Sequence, residues 1–273
     1  MAAQGERVFR GSLNAFVALV LVFLVTPMFV IVPLSFTSGA ILVYPLPGWS
    51  LRWYADFFGN PLWTQAIRNS LVIGIATALL ATTLGTAAAL GLTASKSRLK
   101  PIVFGLLVSP MVVPIVITAV GMFYFFSALG IAGTLAGMIL GHTVIATPFV
   151  VVTVSATLQG FDRNLPRAAA SLGAPPAVVL RRVILPLIWP GLLSGALFAF
   201  ATSFDELVIA LFLASPGLRT LPRQIFSGVS ESISPTIAAA AVVLVFASTG
   251  LMVLVELLRR RAERMTRPAT DAA

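Results

Sequence analysis

Residues 164–190 read NLPRAAASLGAPPAVVLRRVILPLIWP, and this polar stretch separates two long uncharged runs. Pro166 suits the first turn of a helix, where its missing N–H leaves no hydrogen bond unmade. Gly173 suits a left-handed helix end, and the prolines at 175 and 176 prevent the helix from continuing. Asp162 or Asn164 can cap its start. The stretch therefore predicts two short helices joined at a fixed bend.

The composition of the whole chain indicates a membrane protein. Hydrophobic residues make up 58% of the 273 positions and charged residues 10%, against about 25% charged residues in soluble domains. The chain has no cysteine and one histidine. Disulfides and thiolate metal sites are therefore excluded, and no histidine-based metal site is expected.

Uncharged runs predict six membrane-spanning helices. One span needs about 20 apolar residues, so the run 101–161 is too long for one helix and divides at the small-residue turn SALGIAG, residues 127–133. The predicted spans lie at about 13–35, 68–93, 102–126, 132–157, 186–213 and 234–258. The predicted fold class is an all-α polytopic membrane helix bundle, in one transmembrane domain over residues 1–273.

The first span is interpreted as a retained helix. Arg7 and Arg10 resemble the basic start of a signal peptide. The apolar run that follows is longer than the roughly 7–15 residues of such a segment, and no convincing A-x-A cleavage site closes it.

Positive charges orient the chain, because cytoplasmic loops carry the excess of Lys and Arg. With both termini in the cytoplasm, 14 of the 18 basic residues fall inside: Arg7, Arg10, Lys96, Arg98, Lys100, Arg163, Arg167, Arg181, Arg182, Arg259, Arg260, Arg261, Arg264 and Arg267. Arg52, Arg68, Arg219 and Arg223 remain outside. The net charge of +9 is thus an orientation and lipid-headgroup signal, and no nucleic-acid partner is expected.

Two further segments each allow two interpretations. The external stretch SLRWYADFF, residues 50–58, predicts an interfacial helix capped by Ser50, whose aromatic residues suit the headgroup zone. Alternatively it is a lid over a solute path, with Trp53 as a path residue. Ala81, Gly85 and Ala89 have small-xxx-small spacing, which allows close helix packing either within the bundle or at a subunit interface.

The two short helices of the opening stretch would form a compact projection on the cytoplasmic side. Ala168, Ala169 and Leu172 gain nothing by facing water, so the projection would need a groove on a partner. A self-packed amphipathic linker is the alternative, and the residues alone leave both open.

The loop at 160–186 resembles the EAA loop of inner-membrane permease subunits of binding-protein-dependent ABC importers, whose pattern is E-A-A-x-x-x-G-x9-I-x-L-P. Here Arg167-Ala168-Ala169 is followed by Gly173 and by Val183-Ile184-Leu185-Pro186. Val183 replaces an isoleucine, and Arg167 reverses the charge of the glutamate that faces a basic residue of the ATPase in the family. Further matching stretches are NSL at 69–71, SP at 109–110, GH at 141–142 and SFDE at 203–206.

This resemblance implies a type I importer permease with six transmembrane helices, in the inner (plasma) membrane of a bacterium. The implied partners are a second permease subunit in a heterodimer, two ATPase subunits and an extracytoplasmic solute-binding protein. The implied coupling residues are Arg167, Ala168, Ala169, Leu172, Gly173, Leu185 and Pro186. The only lysines, Lys96 and Lys100, follow no glycine-rich phosphate loop, so ATP and Mg²⁺ are expected on the partner ATPase and no enzymatic activity on this chain.

The stretch ATSFDELVIALFLASP, residues 201–216, holds the carboxylates Asp205 and Glu206 at membrane depth. Buried carboxylates are costly there unless they meet water, a cation or a partner. With Ser203 as hydrogen-bond donor and Phe204 as aromatic face, they form a candidate path for a cationic amine. Alternatively the carboxylates pair with Arg219 or Arg223, or satisfy a helix break.

The resemblance is closest to the spermidine/putrescine permease branch, and within it to the second permease subunit. That branch carries an acidic residue after the SP of the third span, where this chain has the apolar Met111 and Ile115. The resemblance implies a polyamine as the solute, but this departure argues against spermidine itself and leaves putrescine, other amines, aminophosphonates and ferric iron as alternatives.

Two other classes of protein fit the sequence less well than a permease does. An ion-coupled carrier usually has ionisable residues in several spans, and here they are almost confined to Asp205 and Glu206. An intramembrane hydrolase could use His142, but a single histidine in an apolar helix more often makes a packing hydrogen bond.

Overall fold

The computed structural model describes residues 2–160, 162, 164–231 and 233–266. Two predicted cytoplasmic cations, Arg163 and Arg267, lie outside the described residues, as does position 161 of the coupling loop. The side chains of residues 2–8, 255 and 258–266, among them Arg7, Arg259, Arg260, Arg261 and Arg264, also lie outside the description.

Helices make up most of the described chain. In order they are α1 Ala2–Ser35, α2 Arg52–Gly59, α3 Pro61–Ala94, α4 Lys100–Val108, α5 Ile115–Ala128, α6 Leu135–Gln159, α7 Asn164–Ser171, α8 Pro176–Val179, α9 Leu185–Phe204, α10 Val208–Leu213, α11 Leu221–Glu231 and α12 Pro235–Thr266. Short 3₁₀ turns cover Ser109–Met111 and Pro216–Leu218, and a π-helical turn covers Leu180–Ile184. No strand occurs in the described ranges, where one isolated bridge joins Thr37 to Trp49.

The predicted all-α membrane fold is confirmed. Five helical stretches are long and apolar enough to span a bilayer, and a bent pair raises the number to six. The five are Phe9–Ser35, Pro61–Ala94, Leu135–Gln159, Pro176–Phe204 and Pro235–Leu254. The turn predicted at 127–133 is also present, because Gly130 and Gly133 have φ angles of 70° and 75°.

The prediction of one continuous helix over residues 102–126 is wrong. It is divided into Lys100–Met111 and Ile115–Ala128, which are bent by 98°. Pro114 explains the break, because its extended conformation (φ −53°, ψ 126°) ends one helical segment and starts the next. Proline lacks the N–H that would continue the ladder of hydrogen bonds.

The bounds predicted for the span at 186–213 are also wrong at both ends. Its helical path begins at Pro176, passes through the π-helical turn and ends at Phe204. The π-helical turn precedes Pro186, whose missing N–H prevents an ordinary i→i−4 bond. The chain is then interrupted at residues 205–207 before α10.

Contacts group the chain into two compact units, and each is described by itself. The larger unit comprises residues 65–224 and 247–273. Its core lies along α6, which carries the buried side chains Val150 and Val154, with Ile188 of α9 packed in the same apolar cluster. Ala81 and Ala89 of α3 are fully buried in that cluster. A Cβ at Gly85 would lie 2.7 Å from the Cβ of Val150.

The small residues of α3 therefore pack within the bundle, as the first of the two interpretations predicts. On α9, Gly191 and Gly195 make the equivalent close approach to α6. A Cβ on Gly195 would lie 2.7 Å from Thr153 Oγ1, and a Cβ on Gly191 would overlap the side chain of Thr157. The contact between α6 and α9 consequently depends on residues without side chains.

We predict that Gly191→Val destabilises the larger unit, because the added methyl groups force α9 away from α6. Overpacking of this kind costs about 1–3 kcal/mol. The matched control is Gly91→Val on α3, where a Cβ has no atom within 4 Å. Thermal unfolding of both variants in detergent measures the difference, and equal melting temperatures would contradict this account of the contact.

The smaller unit comprises residues 1–64 and 225–246, and α2 is tied to it by polar contacts. Tyr54 Oη lies 2.7 Å from Ser35 Oγ, and Thr236 Oγ1 donates to Asp56 Oδ2 over 2.7 Å. Phe57 is fully buried rather than placed at the headgroups. Leu51 occupies the N-cap, although the Ser50 hydroxyl still accepts a bond from the Arg52 N–H.

Candidate functional site

In the polar loop that follows α6, helix α7 begins and ends where the sequence predicts. At the start, the Asn164 N–H donates to Asp162 Oδ1 over 2.9 Å. At the end, Gly173 has a φ of 82°, its N–H donates to Ala170 O, and the Ala174 N–H donates to Ala169 O. These are the two bonds of a Schellman motif, so the left-handed stop at Gly173 is confirmed.

The fixed bend after α7 is also present. Pro175 adopts an extended conformation (φ −67°, ψ 155°) and Pro176 is the first residue of α8. Helix α7 packs against α8 and against the π-helical turn, which leads directly into the membrane-spanning stretch. A displacement of α7 would therefore act on the start of α9, because no flexible linker separates them.

One face of α7 is apolar and uncovered. Leu165, Ala168 and Leu172 share a helical stripe, and all three are exposed, with Leu172 at 88%. Ala169 beside them is half-buried, and Arg167 is exposed on the other side of the helix. The described part of the chain does not pack over this stripe, in contrast to a self-packed linker.

Leu185 and Pro186 begin α9, where Leu185 is half-buried and Pro186 is exposed. They are not part of the exposed stripe of α7. The packing of α7 on the π-helical turn brings the two halves of the predicted coupling loop together.

The second candidate site is the interruption between α9 and α10. Ser203, in the last turn of α9, shares a hydrogen bond of 2.8 Å with Nδ1 of His142. Phe204 is buried and stacks on Phe200 with ring centroids 5.5 Å apart. His142 therefore makes the packing hydrogen bond that was expected of a single histidine in an apolar helix.

The two neighbouring carboxylates have different surroundings. Glu206 is 9% exposed, and its Oε1 accepts the Ile209 N–H over 3.0 Å. This is a capping bond at the first turn of α10. Asp205 is exposed, and no hydrogen bond of its carboxylate is present among the described residues. Of the pair, Asp205 is the one available to a solute.

Among the described residues, neither Arg219 nor Arg223 forms an ion pair with these carboxylates. Arg219 Nη1 donates to Gln224 Oε1 over 3.4 Å, and Arg223 Nη1 donates to the carbonyl oxygen of Ala214. Glu206 instead satisfies the helix break, which was one of the alternatives drawn from the sequence. Asp205 makes no such capping bond among the described residues.

Polar residues at the start of α3, which the sequence indicated only through the NSL resemblance, hold the segment after α10. Asn69 Nδ2 donates to the carbonyl oxygens of Gly217 (3.1 Å) and Arg219 (3.0 Å). Gln65 Nε2 donates to Gly217 O over 2.9 Å, and Ser70 Oγ accepts the Leu221 N–H. The available signal was the i, i+4 spacing of Gln65 and Asn69, which places both amides on one face of α3.

Trp53, the remaining candidate for the solute path, belongs to the smaller unit. Its Nε1 donates to Thr37 O over 2.8 Å, and the guanidinium of Arg52 lies 4.3 Å from the centroid of its ring. The first contact anchors α2 to the segment that follows α1, and the second lies within α2. The indole N–H is therefore already occupied.

The chain resembles proteins that are known as transport permeases. Residues 81–264 match the family described as binding-protein-dependent transport system inner membrane component. The spermidine/putrescine transport system permease protein PotC of Haemophilus influenzae is 34% identical over 250 residues, which cover 91% of this chain and 96% of that protein. The putrescine transport system permease protein PotI of Escherichia coli is 38% identical over 237 residues, covering 84% of each.

Solved structures share the fold. The crystal structure of a bacterial ABC transporter that imports the acidic polysaccharide alginate matches with a TM-score of 0.71 and 16% identity, over 94% of this chain and 97% of that one. The family match covers residues 81–264, and two relatives above 30% identity align over most of the chain. This chain is thus a member of the family of binding-protein-dependent transport system inner membrane components.

Proposed function

We propose that this chain is a permease subunit of an ATP-driven importer for a polyamine such as putrescine or spermidine. The observation that carries the proposal is the identity of 34% and 38% to two polyamine permeases over most of the chain. The exposed carboxylate of Asp205 supports it, because a carboxylate at membrane depth is a natural partner for an ammonium group. Glu206 contributes indirectly by capping the helix that follows.

The importer that we propose has several further subunits. A single transmembrane permease domain, residues 1–273, pairs with a second, different permease chain in a heterodimer. Two ATPase subunits bind ATP and Mg²⁺ and hydrolyse the nucleotide, and an extracytoplasmic solute-binding protein delivers the solute. The absence of a phosphate loop from the sequence supports the assignment of ATP hydrolysis to a partner.

In this proposal α7 is the coupling helix, within the loop 160–186. The ATPase subunit holds the uncovered stripe of Ala168 and Leu172, with Ala169 beside it, and Gly173 ends the helix where the chain must turn. Closure of the ATPase dimer moves α7, and the rigid connection through Leu185 and Pro186 transmits the movement to α9. Arg167 stands where the family has glutamate, so it would not form the ion pair described for that position.

The orientation of the chain follows from its charges. The basic residues Lys96, Arg98 and Lys100 between α3 and α4, with Arg181 and Arg182 of the π-helical turn, support cytoplasmic N- and C-termini in a multi-pass inner-membrane protein. The carboxylate of Asp205 and the hydrogen-bonding residues Gln65 and Asn69 then lie towards the external side. The solute would meet Asp205, with Ser203 and Phe204 shaping that end of α9. Trp53 of α2, in the smaller unit, stays a separate candidate for the solute path.

Uptake by the reconstituted importer tests this function. The chain, its partner permease, its ATPase and its solute-binding protein are placed in proteoliposomes, and ATP-dependent uptake of labelled putrescine and spermidine is measured. We expect uptake only with ATP and the binding protein. An ATPase variant without its phosphate-loop lysine is the control. Uptake driven by an ion gradient without ATP, or uptake of a different solute in place of amines, would contradict the proposal.

A further inference from the structure

Two consecutive residues of α6, Gly141 and His142, hold both sides of the interruption between α9 and α10. His142 Nδ1 and Ser203 Oγ are 2.8 Å apart, and these side chains are 0% and 3% exposed. A hydrogen bond between two groups that water cannot reach is costly to break, because neither group finds another partner. The last turn of α9 is therefore fixed to α6 at this point.

The other side of the interruption is fixed by close packing. A Cβ on Gly141 would lie 2.7 Å from Leu213 Cδ1 and 3.2 Å from Ile209 Cγ2. Both of these residues of α10 are buried. Helix α10 thus lies directly on the backbone of α6, one residue before the histidine that holds α9.

Only residues 205–207 connect these two points of attachment. Glu206 is itself bound to the Ile209 N–H, so its carboxylate is directed into the start of α10. Asp205 is the polar side chain left exposed. Its carboxylate has no hydrogen bond of its own in the described chain, so its position follows from where α9 ends.

We propose that His142 is a positioning residue of the solute path: through Ser203 it sets the end of α9 and thereby the place at which Asp205 presents its carboxylate. The inference rests on the proposed function, because Asp205 is taken as the group that meets the ammonium of the solute. Nε2 of His142 is buried and has no partner among the described residues. The bond to Ser203 is thus the polar contact through which the imidazole acts.

Uptake kinetics test the role in the reconstituted importer. His142→Ala and Ser203→Ala should each raise the KM for putrescine about tenfold, since each loses one buried hydrogen bond. The maximal rate should change less than about twofold. The double variant should be no worse than either single variant, because all three lack the same bond. His142→Asn should restore the KM, because its amide group can donate to or accept from Ser203 Oγ at the place of Nδ1. His142→Gln should not.

Additive effects of the two alanine substitutions would overturn the proposal. So would a fall in maximal rate or in assembly at an unchanged KM, which is the result expected if His142 only stabilises the bundle. If His142→Asn raises the KM as much as His142→Ala does, the proposal is also overturned. The bond to Ser203 would then not determine the KM.

A second measurement does not depend on the identity of the solute. The chain has no cysteine, so Asp205→Cys, in a complex whose partner subunits also lack cysteine, gives a single reactive thiol. Its rate of modification by a membrane-impermeant methanethiosulfonate should change severalfold with His142→Ala and return with His142→Asn. An unchanged rate would overturn the positioning role. A changed rate in an importer that takes up no amine would contradict the proposed solute alone.

Discussion

Leu172→Asp will abolish ATP-driven uptake while leaving the membrane helices folded. Leu172 is 88% exposed at the end of α7, and in the proposed complex it enters an apolar groove of the ATPase. Burying a carboxylate in place of an isobutyl group loses the apolar contact and adds an unpaired charge. Together these changes weaken binding of the ATPase on the order of 100-fold or more. Co-purification of the ATPase and solute-stimulated ATP hydrolysis measure the loss.

The control for Leu172→Asp is Ala170→Gln. Ala170 lies on the same helix, is exposed and points away from the stripe formed with Ala168. This substitution keeps the backbone bond between Gly173 and Ala170 and should leave the complex intact. Normal uptake by Leu172→Asp would show that the exposed stripe of α7 is not the surface that the ATPase holds.

The coupling loop could be predicted in detail because its structure depends on local chemistry. A carboxylate that caps the start of α7, a glycine in the left-handed region at its end and prolines that cannot continue the helix all act within a few residues of chain. Gly173, Pro175 and Asp162 therefore take the places that the sequence indicates. What holds the exposed face of α7 is not encoded locally, since it depends on another chain.

The break at Pro114 is not predicted by hydropathy because apolarity continues through it, whereas the interruption at residues 205–207 falls on the charged pair Asp205 and Glu206, for which a helix break was one of the alternatives. Hydropathy indicates that a segment is long enough to cross a bilayer, and it is insensitive to a bend inside that segment. Pro114 was a visible signal for the first bend. The second, at residues 205–207, depends on distant contacts: Ser203 meets His142 and α10 meets Gly141, both about 60 residues earlier in the chain.

The assignment of the two carboxylates likewise needed the structure. From the sequence, Asp205 and Glu206 were equivalent candidates for the solute or for pairing with an external arginine. The structure gives Glu206 a capping bond and leaves Asp205 exposed. Residue type could not have separated the two, because Asp is the more usual capping residue and here Glu206 makes the bond.

Asp205→Asn is expected to raise the KM for putrescine about 10- to 100-fold in the reconstituted importer. The substitution keeps the size of the side chain and removes its charge, so a charge-assisted bond to an ammonium group becomes a neutral one. Such bonds contribute about 1.5–3 kcal/mol, which corresponds to this change in affinity. Because Asp205 has no bond within the described chain that the amide would break, assembly and thermal stability should be those of the wild type.

The matched control for Asp205→Asn is Glu231→Gln, which removes one carboxylate at the exposed end of α11. If the effect of Asp205 comes only from net charge on the external side, both substitutions will raise the KM equally. If Asp205 meets the solute, Glu231→Gln will leave the KM unchanged, and the defect of Asp205→Asn will be larger for amines with more ammonium groups near one end. Full uptake by Asp205→Asn would show that this carboxylate does not bind the solute, which would then require another binding group.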